Sequence, residues 1–139
     1  MNKTAIFWPM IAHVALVYAV YVVLGVRRIG AVRTGGASAN QFKTRSAEPE
    51  RSVTAANNIL NQFELPVLFH IGCLALFLTE AVSVATLTFA WLFILSRCAH
   101  AWVHLTTNRV RYRTTLFRAG MAMVGLIWIW LALRLAEVV

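Results

Sequence analysis

The sequence predicts an all-α integral membrane protein built as a four-helix bundle, and three observations carry that expectation. Of its 139 residues, 60% are hydrophobic and 13% charged, and the mean hydropathy of +0.69 lies above that of a water-soluble domain of this size. The apolar residues fall in four runs, each long enough for a hydrocarbon core of roughly 30 Å. Nearly all Lys and Arg residues flank those runs. The formal charge of +8 would suggest nucleic acid in a soluble chain; here membrane topology accounts for it, and no nucleic-acid partner is expected. One domain over residues 1–139, surrounded by membrane lipids, is the natural division.

The first span covers about residues 4–26 and is interrupted only by Pro9 and His13. It is long for a cleaved leader, and Arg27-Arg28 reads as an anchor, so the span is expected to stay attached. About residues 27–54 turn polar, with Gly35-Gly36 and Pro49, and predict a loop facing the cytoplasm. The second span, about 59–78, carries Asn61, Glu64 and Pro66 early. Pro66 cannot donate the helical bond to the Gln62 carbonyl, which predicts a bend just past Glu64. Thr79-Glu80 is the one polar break before a third span at about 81–103, so these two spans form a tight antiparallel hairpin. A basic stretch from Asn108 to Arg113 leads into the fourth span, about 114–133. Cys73 and Cys98 both lie in apolar segments and are expected to be buried thiols, not a disulfide.

Counting cations sets the orientation. Arg27, Arg28, Arg33, Lys43, Arg45 and Arg51 follow the first span, and Arg109, Arg111, Arg113 and Arg118 surround the start of the fourth; the other side has Lys3 and Arg134. Ten against two places both long connections in the cytoplasm and both termini outside, in the periplasm if the membrane is a bacterial inner membrane.

Polar side chains inside spans are costly and mark candidate sites. Asn57, Asn61 and Glu64 follow an i, i+4, i+7 spacing that an unbroken helix would place on one face. Arg97, His100 and His104 follow i, i+3, i+7 near the end of the third span. Because consecutive spans alternate in direction, both stripes reach the cytoplasmic boundary, where Arg109, Arg113, Thr114 and Arg118 also begin the fourth span. A Glu64–Arg97 pair and interhelical amide bonds could serve packing alone. One Glu cannot balance Arg97, Arg109, Arg113 and Arg118, however, and the excess points to a bound anion. His100 and His104 have the spacing of a metal pair, but the adjacent Arg97 repels a cation and no metal is expected. His13 and His70 read as packed or lipid-edge residues.

The run from Asn61 through Glu64 and Pro66 to Phe69, the pair Arg97 and His100, and the pair Arg109 and Arg113 resemble the MAPEG family, membrane-associated proteins of eicosanoid and glutathione metabolism. The resemblance extends from the first span to the fourth. It implies a left-handed four-helix bundle assembled as a homotrimer, with glutathione as co-substrate held between subunits near the cytoplasmic face. By the same resemblance Asn61 and Glu64 match positions that hold the peptide part of glutathione, with Asn57 one turn earlier. His100 and His104 match third-span positions, the latter a Tyr in eukaryotic members. Arg113 matches the thiolate-stabilising Arg, Thr114 a neighbouring hydroxyl, and Arg109 belongs to the same basic stretch; Arg97 and Pro66 are assigned structural roles. A guanidinium in a partly dry site favours the thiolate, which is the nucleophilic form. Two positions depart from the family pattern. Asn57 stands where several members have Arg, and Phe117 stands where some have a Tyr hydroxyl.

These implications give a glutathione transferase or peroxidase acting on a lipophilic electrophile or hydroperoxide. The alternative is a non-catalytic structural or accessory membrane subunit. Transport fits less well, since polar groups confined to one side offer no midplane site.

Overall fold

The computed structural model describes residues 2–43 and 47–137, so Arg45 lies outside the described residues. The regular elements among them are helices. A short 3-10 turn, Lys3–Ile6, leads into α1 (Phe7–Arg33), followed by α2 (Glu50–Gln62), α3 (Leu65–Leu78), α4 (Val84–Leu105) and α5 (Val110–Leu135), with a second 3-10 turn at Ala39–Lys43. Four helical segments are long and apolar enough to cross a bilayer: Lys3–Arg33, Glu50–Leu78 (α2 and α3 together), Val84–Leu105 and Val110–Leu135. A helix closes its own backbone hydrogen bonds, which is what lipid demands of a crossing segment.

The helices outlast the apolar runs that announced them. α1 continues through Arg27-Arg28 to Arg33 and stops at glycine: Gly35 takes φ 72, while Gly35 N–H and Gly36 N–H donate to the carbonyls of Val32 and Ala31. This closure satisfies the last carbonyls of the helix and needs a residue tolerant of positive φ. The loop expected over 27–54 is therefore confined to the stretch between Arg33 and Glu50. Polarity reports where the membrane ends; glycine reports where the helix ends.

The second membrane segment is broken at Phe63 and Glu64, and Pro66 sits in the first turn of α3. The third begins later than its apolar run, at Val84, because Ser83 caps it. Ser83 Oγ accepts from Thr86 N–H at 3.2 Å and Thr86 Oγ1 accepts from Ser83 N–H at 2.9 Å, a reciprocal cap that fixes the helix start. The fourth begins earlier than expected, so Arg111 and Arg113 lie in the first turn of α5 and Arg109 is its N-cap.

Packing is stratified along the bundle. At one end Phe69, Cys73, Leu76, Phe93, Val124 and Ile127 form an apolar core. At the basic end Val20, Leu24, Ala55, Ile59 and Ala101 form a smaller one. Between and beside them lie buried polar side chains, among them His13, Asn58, Gln62, Arg97, His100 and His104. Large apolar side chains such as Trp8, Tyr18, Leu78, Val84 and Trp102 point outward, as expected where lipid is the solvent. Apolar contact alone gains little between helices in lipid, so close approach and interhelical hydrogen bonds must hold the bundle. Arg27 supplies one such tie at the basic end: it donates to Thr54 Oγ1 at 2.7 Å and to the Leu105 carbonyl at 2.6 Å, joining α1, α2 and the C-terminus of α4. Of the two thiols, Cys73 is buried but Cys98 is exposed, which corrects the expectation that both are buried; neither is in a disulfide.

Candidate functional site

The site is assembled from three helices at the basic end. α4 turns Arg97, His100 and His104 inward on one face, all three buried, as their spacing predicts. The rings of His100 and His104 meet edge to face with centroids 5.7 Å apart. α5 approaches α4 closely at Gly120, where an added Cβ would come 2.8 Å from Ser96 Oγ. Above that contact its first turns carry Arg113, Thr114 and Phe117 to the same level. The Phe117 ring lies 6.2 Å from the His100 ring, with the Arg97 guanidinium carbon 6.0 Å from its centroid.

Asn61, His100, Val110, Arg113, Thr114 and Phe117 line a cleft of about 180 Å³. Four residues singled out from the sequence, Asn61, His100, Arg113 and Thr114, thus meet around one space. Arg113 is oriented by Asn108, whose Oδ1 accepts from its Nη1 at 2.8 Å. Asn108 adopts φ 49, a left-handed conformation that Asn tolerates better than most residues.

Cations crowd this end of the bundle. Arg109, Arg111 and Arg113 sit at the N-terminus of α5, where the helix dipole is already positive and an anion is the favoured neighbour. Nε and Nη1 of Arg97, Nδ1 of His100, Nδ1 of His104 and Nε of Arg113 are buried without a hydrogen-bond partner among the described residues. Such groups are costly unless something accepts from them. Among the described residues no group of three His, Cys, Asp or Glu side chains is placed to hold a metal ion.

Two expectations are corrected. Glu64 does not share the face of Asn57 and Asn61, because the helix breaks before it. Asn57 is exposed and lines a separate hollow with Arg28, Phe42 and Glu48. Glu64 is exposed, and the salt bridges among the described residues are Lys3–Glu80 and Arg28–Glu48, so it does not pair with Arg97. Arg97 Nη2 donates instead to the Asn61 carbonyl at 2.8 Å, a carbonyl beside the break, and reaches Gln62 Oε1 at 3.4 Å. Arg109 and His104 do not line the cleft within one chain.

The sequence reading missed the inward amides. Asn58 and Gln62, one residue along from the expected stripe, are the buried pair, and they connect to His13 and His70. His13 is buried, not at the lipid edge. Polar groups are therefore not confined to the basic end. An ionisable residue in a span is itself the signal, and it applied to His13 and His70 as much as to His100.

A family model for the MAPEG family matches residues 6–133. Comparison with curated proteins and comparison with solved structures each gave no match. With four membrane-capable helices, the packed polar layer and a match over nearly its whole length, the chain belongs to the MAPEG family.

Proposed function

We propose that the chain binds glutathione at the cleft between α4 and α5 and presents its sulfur as a thiolate to lipophilic substrates. One observation carries this reading: guanidinium N–H groups of Arg97 and Arg113 and ring nitrogens of His100 and His104 are buried without partners at the end of the bundle where the cleft opens. An anionic peptide thiol offers carboxylates to such donors. Arg113, lining the cleft and braced by Asn108, stabilises the thiolate. Asn61, His100 and Thr114, which line the same cleft, hold the remainder.

A volume of about 180 Å³ falls short of the roughly 300–1,000 Å³ typical of small-molecule sites. A neighbouring subunit would enlarge it, which supports a homotrimer with the site between subunits. In that arrangement Asn57, Glu64 and Arg109, which lie outside the cleft of a single chain, become available to a shared site. The orientation follows the basic residues: cleft toward the cytoplasm, both termini on the other side, periplasmic in a bacterial inner membrane.

In conjugation the thiolate sulfur attacks an electrophilic carbon, a C–S bond forms, and the leaving group departs with its electron pair. In hydroperoxide reduction two glutathione molecules are oxidised to the disulfide while the hydroperoxide yields an alcohol and water. The second reading, a non-catalytic structural or accessory subunit, is favoured by Phe117, which brings a ring without a hydroxyl to the cleft.

Thermal stability of the purified protein with glutathione tests binding. Millimolar glutathione is expected to raise the melting temperature of wild type by mass action and leave Arg113→Ala unshifted. No shift in wild type sinks the binding reading. Turnover with an aromatic halide and with a lipid hydroperoxide then separates the enzyme from the accessory subunit, flat rates with both favouring the latter.

A further inference from the structure

Asn108 has two tasks at the connection from α4 to α5, and different atoms perform them. Its N–H donates to the Val103 carbonyl at 2.7 Å, tying the connection back onto the last turn of α4, and it does so at φ 49. Its side chain serves the next helix: Oδ1 accepts from Arg113 Nη1 at 2.8 Å. A guanidinium can only donate, so the amide is fixed with its oxygen toward Arg113. The backbone needs a residue that tolerates positive φ, and Gly, Asn and Asp all do. The turn therefore explains a short list of residues and not the choice among them.

The choice has an electrostatic consequence. An Asp on Arg113 would make a charge-assisted ion pair, whereas the acceptor present is neutral. The chain has five acidic residues and no Asp. Glu48 and Glu80 pair with Arg28 and Lys3, and among the described residues no carboxylate lines the cleft. The charged and titratable groups gathered at this end are His100 and His104 of α4, both within reach of the Arg113 charge, Arg97 one turn from His100, and Arg109 and Arg111 at the start of α5. The second membrane segment contributes the neutral Asn61. Arg113 Nε is buried without a partner among the described residues. An amide on Nη1 thus fixes this side chain and leaves its charge uncompensated.

We propose that Asn108 is the positioning residue for the bound thiol: it aims Arg113 into the cleft without neutralising it, and so keeps that thiol acidic. This role rests on the proposed binding of glutathione at the cleft. A full cation near sulfur favours the thiolate and lowers the thiol pKa. A carboxylate in place of the amide would hold the guanidinium as firmly but offset its charge, and the pKa would rise. A glycine would keep the turn and release the guanidinium.

The test follows the ultraviolet thiolate absorbance of bound glutathione against pH, with the full chain in lipid nanodiscs and glutathione at saturation. Asn108→Asp is expected to raise the thiol pKa by about one unit, leaving about tenfold less thiolate at any pH well below it. Asn108→Gly removes one hydrogen bond and is expected to lower the thiolate about 2- to 10-fold. Should the Gly variant fail to fold, Asn108→Ser, whose hydroxyl reaches less far, takes its place. Superimposed titrations of wild type and both variants overturn the proposal and leave Asn108 a turn residue. A shift in the Asp variant alone also overturns it, because a nearby charge acts without any positioning. Wild type that binds no glutathione overturns the binding reading itself and this role with it.

Discussion

The phenyl ring of Phe117 lies 6.2 Å from the imidazole of His100, and both line the cleft that also holds Arg113. A tyrosine at this position adds an O–H where the proposed thiolate would lie. A hydrogen bond to a charged acceptor is worth about 1.5–3 kcal/mol, so Phe117→Tyr should raise transferase turnover roughly tenfold or more. The thiolate absorbance of bound glutathione in the ultraviolet should grow with it. An unchanged absorbance in a variant that still binds glutathione means the sulfur does not sit against this ring.

Asn57 and Asn58 are neighbours in sequence and opposites in environment. Asn58 bonds the Ala101 carbonyl and Gln62, whereas Asn57 is exposed. Asn58→Leu is expected to destabilise the bundle by about 1–2 kcal/mol, the scale of interhelical hydrogen bonds in membranes, and Asn57→Leu by less than about 0.5 kcal/mol. Equilibrium unfolding in mixed detergent micelles measures both; equal losses would contradict the placement of α2.

Gly120 lets α5 approach α4. An alanine there puts its Cβ 2.8 Å from Ser96 Oγ and within 3.6 Å of the Phe93 ring, an overpacking that typically costs about 1–3 kcal/mol. Much of this loss should return in Gly120→Ala with Ser96→Ala, because the second change removes the nearest atom. A double-mutant cycle on melting temperatures checks the coupling, and strict additivity would show that Ser96 is not the obstacle.

Glu48 answers to acid. The Arg28 guanidinium bonds both its carboxylate oxygens; this bonding, opposed by burial and aided by Ser52, holds the carboxyl below the usual carboxylate range. A pKa lower in the folded than in the unfolded chain makes the proton bind more weakly to the folded state. The stabilisation is then complete above the unfolded value and is lost as pH falls through the folded one. Wild type should lose stability below about pH 4.5, and Glu48→Gln should lose about 1 kcal/mol at neutral pH with a flatter acid limb. Parallel limbs in the two proteins would remove Glu48 from the acid response.

Much of the fold was legible because lipid leaves few choices. Four apolar runs had to become four helices, and the Arg97, His100, His104 spacing survived intact because nothing interrupts α4. The second segment was harder. Asn57 with Asn61, and Asn58 with Gln62, share the same i, i+4 spacing, so periodicity could not say which pair faces inward. The choice belongs to tertiary contacts, with the Ala101 carbonyl and His13 waiting on one side. Pro66 announced a bend, yet the break precedes Glu64, turning it out of the layer and leaving the Asn61 carbonyl to Arg97. Helix ends were misjudged where apolarity stood in for capping: Ser83 with Thr86, and Gly35 with Gly36, were the truer marks.

The polar seam between the two apolar cores also sets a ratchet. Leucine and valine contacts tolerate one helix sliding along another, since any apolar neighbour will do. Arg97 on the Asn61 carbonyl and Asn58 on the Ala101 carbonyl do not. A slip of α4 by one turn, about 5.4 Å, would strand both ends of both contacts in hydrocarbon. The helices of the bundle consequently have a single alignment along their axes.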